Sequence, residues 1–391
     1  MFIKKILLFI AISFSLFFYS CSDAPSPLGG SLLTVDRLNI SEVDSYKDTL
    51  AQKSSYVKRT FELGGGYRLL VGKAENVESS TLMNFYMPLE DSIKNSILAD
   101  SVVIIGARIY LRRIYGFGNK NNPYDFTVHQ IESGWTSAHF TADSLPMLSY
   151  DPSDVSSNKT FSDTLDEFDI NSDLALSWLK YSADSVGNNF GIYIKPSPGS
   201  QKIVGYQALY SGNVNEPALT IAIQRLGVAY TDTLFFIANS DVSAVTGNIP
   251  SVTRSSIIVQ GGLAINAKLW FDVSRIPFNA IINSAILTLH FDLTKTIIGD
   301  STNTILAGFL TDSSSIVVDS SVVATLDSTD NSLAGSITSY AQRWVNTGTN
   351  EGILLFTRNE YSGVDLFTFM GSNAVDSLKP RLHIIYTTKK P

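Results

Sequence analysis

The run VVIIGARIYLR, residues 102–112, decides the fold class of this chain. Its β-branched and aromatic residues alternate at period two, which favours extended strands. Runs of the same kind, GIYI at 191–194 and LTIAI at 219–223, are set apart by turns rich in Gly, Asn, Asp and Ser. From about Leu32 onward, no stretch has the period of a long amphipathic helix. Many short strands joined by such turns predict an all-β sandwich or barrel.

The strand pattern occurs twice along the chain. Three groups of motifs return in the same order, and the offsets between them are similar and have the size of a domain. Tandem duplication of one domain accounts for this with the fewest assumptions. The matching segments are 107–111 with 285–289, Trp178 and 189–192 with Trp344 and 350–353, and 217–223 with 380–386.

The predicted organisation is therefore two tandem β-sandwiches. Residues 32–226 are expected to form the first sandwich and residues 227–391 the second, with the seam near Arg225. Both parts are long enough for a core of their own.

One element in each copy breaks the strand rhythm. Tyr340 and Trp344 are spaced as on one face of a helix, and Trp178 lies in a similar but less regular pattern. We therefore expect one short helix per copy, with its tryptophan under the sheet. Gly191 and Gly352 follow in Asn-x-Gly turns and are expected to adopt backbone conformations that a side chain would forbid.

The N-terminus has the features of an export signal. Residues 1–20 combine two early lysines with a short apolar stretch, shorter than a membrane-spanning helix needs. The sequence FYSC at 18–21 resembles a bacterial lipobox, so Cys21 is expected to be acylated and to become the new N-terminus. An ordinary cleaved signal and an uncleaved anchor are the alternatives. Residues 21–31, rich in Pro and Gly, are expected to be a tether.

This predicts a lipid-anchored protein of the outer membrane. Ser22 stands after Cys21, where the Gram-negative sorting rule requires Asp for retention on the inner membrane. The membrane is then a partner only through the acyl chains. Neither the periplasmic nor the outer face of that membrane is favoured by the sequence.

Composition excludes one class of partner. The chain has 29 basic and 36 acidic residues among 391, a formal net charge of −7. Nucleic-acid binding needs a basic face, so nucleic acid is not an expected partner. Cys21 is the single cysteine, so no intrachain disulfide is expected to stabilise the fold.

The repeated motifs resemble the DNRLRE domain, a family named for disaggregatase-related repeats that occurs in exported proteins and is related to carbohydrate-binding modules. The resemblance covers most of residues 50–387. It implies jelly-roll sandwiches with a binding or scaffold role and no catalytic residues. The segments that carry it are Asn84-Phe85 with Pro88, 107–111, 128–135, Trp178, 189–192 and 217–223 in the first copy, and LWFD at 269–272 with Pro277, 285–289, Trp344, 350–353 and 380–386 in the second.

The search for chemistry finds no catalytic constellation. There is no G-x-S-x-G motif, and the one cysteine is assigned to lipid, so a nucleophile is missing. Two clusters of acids lie in Ser/Thr/Asn-rich segments. Solvated loops are the simplest interpretation of them, and a structural calcium ion is the functional alternative. No other cofactor is expected, and the sequence does not fix a metal site. The clusters are Asp163, Asp166, Glu167 and Asp169, and Asp312, Asp319, Asp327 and Asp330.

Aromatic side chains are the candidate ligand contacts, because a flat ring can stack on the apolar face of a sugar. Tyr115, Phe117 and Tyr124 belong to a loop-like segment rich in Gly and Asn, and Trp135 follows in the next motif. Trp270 has no fixed role. We therefore hypothesise a non-catalytic envelope lipoprotein that binds polysaccharide or mediates surface adhesion. An assembly subunit that docks to other envelope proteins is the alternative, and a polysaccharide hydrolase or lyase is a third.

Overall fold

The computed structural model describes residues 38–48, 50–209, 215–300, 304–329, 331–358 and 360–389. Antiparallel strands dominate it, which confirms the predicted all-β class. The expected signal peptide, Cys21 and the tether lie outside the described residues. The strands are β1 (Leu38–Asp44), β2 (Gln52–Lys58), β3 (Arg68–Ala74), β4 (Val77–Phe85), β5 (Val102–Phe117), β6 (Phe126–Gln130), β7 (Ser156–Phe161), β8 (Leu165–Ile170), β9 (Ile192–Pro196), β10 (Ile203–Gln207), β11 (Ala218–Arg225), β12 (Thr231–Gly247), β13 (Ser256–Gln260), β14 (Ile265–Phe271), β15 (Ile281–His290), β16 (Ile305–Asp312), β17 (Val317–Thr329), β18 (Ser332–Ser336), β19 (Ile353–Thr357), β20 (Leu366–Met370) and β21 (Arg381–Lys389).

Short helices interrupt the strands. Within the described residues these are α1 (Asp91–Leu98), α2 (Ser172–Asp184) and α3 (Thr338–Thr347), with 3-10 turns at Ser137–His139 and Ala142–Met147. None of the helices in this part of the chain is both long and apolar enough to span a bilayer.

The strands form two sheets, and each sheet folds over its own apolar core. The first sheet has the order β10-β3-β4-β12-β11-β5-β8-β7, with β9 on β4 and β6 on β9. The second has the order β1-β21-β15-β18-β17-β16-β19-β14-β13-β20, with β2 on β14. The core of each sandwich is formed by its own strands and helices and the segments that connect them, and within the described residues the two cores share no residue. We call these two bodies the first and the second sandwich.

The helices supply the largest core side chains. Trp178 on α2 and Trp344 on α3 are fully buried, as predicted, together with Tyr340 one turn before Trp344. Asn171 caps α2 by accepting a hydrogen bond from the backbone N–H of Asp173 at 2.7 Å. α2 and α3 thus each bury one tryptophan, among other side chains, in the core of their sandwich.

The repeated motifs occupy equivalent places in the two sandwiches. Ala107 on β5 lies opposite Ile221 on β11, and Ala285 on β15 lies opposite Ile384 on β21. Each of the strands β5 and β15 has an irregularity in register two residues before its alanine. Equal register with an equally placed bulge means that the two sandwiches are structural repeats of one module.

The Asn-x-Gly turns are also equivalent, and the expected glycine conformation is confirmed. Asn189 donates to the Phe85 carbonyl at 3.0 Å, and Asn350 donates to the Phe271 carbonyl at 2.7 Å. The glycines that follow have φ of 83° at Gly191 and 92° at Gly352. A Cβ at Gly352 would lie 2.3 Å from the Leu269 carbonyl oxygen. Glycine is required here because the neighbouring strand passes against it.

Three strands pair across the expected domain boundary. β1 and β2, expected in the first sandwich, pair with β21 and β14 of the second. β12, expected in the second, pairs with β11 and β4 of the first. β11 and β21 are equivalent strands that both need a neighbour, since an open edge leaves backbone groups unpaired. β12 forms a hairpin with β11 and continues along β4, whereas in the second sandwich β1 lies beside β21 and β2 lies beside β14.

The two sandwiches pack against each other through a third apolar cluster. Leu70 and Tyr115 of the first sandwich join Ile258 and Leu366 of the second in this cluster. Polar contacts cross the junction beside it, including Asn76 Nδ2 to Gln260 Oε1 at 3.0 Å and Arg68 Nη1 to the Ser362 carbonyl at 3.2 Å. We call this contact region the junction.

Candidate functional site

Two of the four predicted sugar-binding aromatics are buried. Tyr115 is 4% exposed and Phe117 is 1% exposed, both in the apolar cluster of the junction. The Tyr115 hydroxyl donates to Asp365 Oδ1 at 3.3 Å. The part of the segment that carries them is not a loop, because β5 continues to Phe117 and both rings pack in the cluster shared with the second sandwich. The prediction that they stack on a ligand is therefore wrong.

Tyr124 is engaged in a buried polar network. Its hydroxyl lies 2.6 Å from that of Tyr206, which donates to Asp166 Oδ2 at 2.6 Å. Burial raises the pKa of Tyr124 above its ordinary value. The ring makes edge contacts with Phe126 and Phe161. This half-buried tyrosine is packed into the first sandwich, and its role as a ligand contact stays a prediction.

Trp135 is half-buried and acts as a cover. Its indole N–H donates to the Phe190 carbonyl at 2.8 Å, and its ring meets Phe140 edge to face. The segment between β6 and β7 carries both rings over the outer face of the first sandwich, where they pack with Leu82 and Val242. A shallow pocket of about 230 Å³ remains beside Trp135.

The equivalent face of the second sandwich is open. Leu82 on β4 lies opposite Val242 on β12, and the matching pair is Lys268 on β14 opposite Ser55 on β2. Buried apolar side chains in the first sandwich thus correspond to polar ones in the second. The long covering segment is absent there, because β16 and β17 are joined by residues 313–316 alone.

A groove of about 510 Å³ occupies this open face. Trp270 forms part of it, half-buried, with its indole N–H donating to the Asn350 carbonyl at 3.0 Å. The ammonium of Lys53 lies 5.2 Å from the centre of the indole ring. The anchored N–H fixes the ring plane, so the groove offers a rigid aromatic surface. Its lining residues are Lys53, Ser54, Ser55, Lys268, Leu269, Trp270, Ser313, Asn350 and Glu351.

The polar groups of the groove are held in place by one turn. Glu351 accepts hydrogen bonds from the Ser313 hydroxyl at 2.6 Å and from its N–H at 3.1 Å. These bonds hold the pKa of Glu351 below its ordinary value, the hydroxyl contributing most. Lys268 donates to the Ser313 carbonyl at 3.0 Å. An ionised carboxylate and two ammonium groups therefore surround the ring. Hydrolysis of a glycosidic bond needs two carboxylates, whereas this lining contains one.

Sequence reasoning named Trp270 without giving it a role. The signal was present in the alternation of β14, where Ala267, Leu269 and Phe271 enter the core. Lys268 and Trp270 must then face outward. What the sequence did not reveal is that the matching face of the first sandwich is covered.

Several acids of the two clusters, for which calcium is the alternative to a solvated loop, have partners within the protein, and Asp330 lies outside the described residues. Arg108 contacts Asp169 at 2.7 Å and Glu167 at 3.2 Å, and Arg113 contacts Asp166 at 2.8 Å. In the second cluster, serine residues of tight turns and Arg343 bind Asp312 and Asp319. Across the described ranges, no three His, Cys, Asp or Glu side chains come together as a metal site.

A buried carboxyl outside the groove gives a pH-dependent prediction. Burial raises the pKa of Asp241 to about 7, and the backbone N–H of Leu209 donates to it at 2.7 Å. Because this pKa lies above the ordinary 3.8, the stability that Asp241 contributes is present in acid and is lost as pH rises from about 4 to about 7. We expect Asp241→Asn to raise the free energy of unfolding at pH 8 by about 2–4 kcal/mol and to change it little at pH 4. Urea unfolding at both pH values measures this, and equal shifts at the two would contradict it.

Scans against models of protein families, against curated proteins and against solved structures found no match to this chain.

Proposed function

We propose that the protein is a non-catalytic envelope lipoprotein that binds glycan in the Trp270 groove. The observation that carries this proposal is the anchored, half-open indole of Trp270 on a face that the first sandwich covers with its own chain. The same face is covered in the first sandwich and open in the second, and we infer that the open face of the second sandwich binds a ligand.

The groove has the chemistry that a sugar requires. A pyranose ring presents C–H groups that pack on an aromatic face, and its hydroxyls need hydrogen-bond partners around the rim. Lys53, Lys268 and Glu351 supply such partners beside the ring. The volume of about 510 Å³ lies in the usual range of about 300–1,000 Å³ for small-ligand pockets.

The sequence motifs give independent support. The segments that resemble the DNRLRE family, which is related to carbohydrate-binding modules, carry the strands that frame the groove, among them β14 and β19. The proposal includes acylation at Cys21 and attachment to the outer membrane, which would hold the groove near cell-surface polysaccharide.

Replacing Trp270 with alanine should remove most of the affinity for glycan. We expect a loss of at least about tenfold, because an aromatic contact of this kind contributes about 1 kcal/mol beyond its buried area. The purified wild-type chain is first tested on a polysaccharide array, and the best ligand is then titrated by calorimetry. Phe278→Ala is the matched control, since Phe278 is an exposed aromatic of the same sandwich outside the groove.

If Trp270→Ala binds the glycan as tightly as the wild type, the site is not in this groove. If the wild-type protein binds no glycan on the array, the proposed function is contradicted. Turnover of a polysaccharide would favour the third hypothesis instead.

One observation favours the alternative of an assembly subunit. The first sandwich has four exposed apolar side chains away from the segment that covers Leu82 and Val242: Val103 and Ile105 on β5, and Phe235 and Ile237 on β12. These strands flank β11, so the four side chains lie on one sheet, and exposed apolar patches commonly mark protein contacts. A chain that binds no glycan and whose cross-links to envelope proteins depend on Phe235 would belong to this second class.

A further inference from the structure

A cavity of about 670 Å³ opens at the junction, away from the Trp270 groove. Most of its wall comes from the first sandwich, and the second contributes Ile298, Gly299 and Asp300. The side chains that give it chemistry are Arg113, Lys120, Asp163, Lys202 and Asp300. Three of these five are cationic, in a chain whose net charge is −7.

Arg113 is held rigidly at the cavity wall. Its Nε donates to Asp166 Oδ1 at 2.8 Å, and its guanidinium carbon lies 5.3 Å from the centre of the Tyr124 ring. Asp166 is itself fixed by the Tyr206 hydroxyl at 2.6 Å. The side chain of Arg113 is only 14% exposed. The network that occupies Tyr124 therefore orients this guanidinium.

The terminal nitrogens of Arg113 are the unused part of the group. Within the described ranges, Nε is the one nitrogen of the Arg113 guanidinium that has a hydrogen bond to the protein. Nη1 and Nη2 have none there. Two parallel N–H donors on a fixed plane match the two oxygens of a carboxylate or a phosphate.

A second cation stands beside this fork. Lys202 is half-buried, and its ammonium donates to the Lys120 carbonyl at 2.7 Å. Burial lowers the pKa of Lys202, and the positive charge of Arg113 lowers it further. Asp163 is exposed, while Asp300 Oδ1 accepts from the Gly116 N–H at 2.6 Å. The cavity thus has a cationic side at Arg113 and Lys202 and an acceptor at Asp300.

We propose that the junction cavity binds a small molecule that carries an oxyanion, either carboxylate or phosphate, together with a hydrogen-bond donor. The oxyanion is bound by the terminal nitrogens of Arg113 and by Lys202, and the donor faces Asp300. Since the wall comes from both sandwiches, such a ligand also strengthens their contact. This site is separate from the proposed glycan groove, and neither depends on the other.

The test uses the full mature chain and four probes: inorganic phosphate, malonate, L-serine and glycerol. We expect saturable binding of at least one of the three oxyanion probes by calorimetry, with a rise in melting temperature, and no binding of neutral glycerol. Arg113→Lys keeps a cation against Asp166 but loses the fork, so it should weaken binding by at least about tenfold. Lys202→Gln, which leaves the buried network intact, should also weaken it.

The matched control is Trp270→Ala, which should bind these probes as the wild type does. A preference for phosphate over malonate identifies a phosphorylated ligand, and the reverse identifies a carboxylate; both support the site. The proposal is overturned if none of the oxyanion probes binds saturably, or if Lys202→Gln and a folded Arg113→Lys bind as tightly as the wild type. Absence of glycan binding on the array would contradict the proposed function but would not change the expected binding of the oxyanion probes at the junction.

Discussion

Replacing Val43 with aspartate in the N-terminal strand β1 is expected to destabilise the second sandwich, although Val43 precedes the whole first sandwich in sequence. Val43 is 6% exposed in the core that also contains Trp344 and Phe369. A carboxylate there has no cationic partner in that apolar cluster. We expect the free energy of unfolding to fall by about 4 kcal/mol.

Hydrogen exchange can locate this effect. In Val43→Asp, amides of α3 and β21 in the second sandwich should exchange faster than in the wild type. This increase should be at least as large as any increase for amides of α2 in the first sandwich. Ile40→Asp is the matched control, because Ile40 lies on the same strand and is 73% exposed. If β1 belonged to the first sandwich, as a boundary at residue 226 implies, amides of α2 would exchange faster and those of α3 would be unchanged. That result would contradict the pairing of β1 with β21.

Gly352→Ala is expected to have the second large effect on stability. Gly352 has φ of 92°, and an added Cβ would lie 2.3 Å from the Leu269 carbonyl oxygen. The Leu269 carbonyl belongs to paired backbone and cannot move aside freely, so β14 and β19 would have to separate near the pair Leu269 and Ile353. We expect a loss of about 3 kcal/mol or more, measured by urea unfolding.

Gly348→Ala separates the two causes of this loss. Gly348 also has a positive φ, 67°, at the end of α3, but no atom lies within 4 Å of its added Cβ. Backbone strain alone should cost about 1 kcal/mol there. Equal losses in the two variants would mean that the close approach of β14 contributes nothing.

The elements that the sequence predicted best are those set by local pattern. Ile337, Tyr340, Ala341 and Trp344 share one face of a helix because their spacing of i, i+3, i+4 and i+7 has the helical period and not the period of a strand. Gly191 and Gly352 are glycines at positive φ because each follows an asparagine that caps the same turn. In both cases a few neighbouring residues contain the signal, although the strand that passes against each glycine comes from elsewhere in the chain.

The candidate site could not be predicted in this way. Tyr115 and Phe117 are separated by Gly116 and followed by Gly118 and Asn119, a composition equally typical of a binding loop. Their burial comes from the second sandwich, whose residues Ile258 and Leu366 are far along the chain. Trp270, in contrast, remains partly exposed because the second sandwich has no counterpart of the segment that covers the equivalent face of the first.

The amino-acid sequence alone determined the all-β class, the duplication of one module, the buried tryptophans and the glycine turns, because period, composition and short-range sterics act within a few residues. Only the tertiary structure decided which strands complete which sandwich and which aromatic rings remain open. Strand edges pair with whatever neighbour the closed fold brings to them, and burial depends on surfaces that meet from distant parts of the chain.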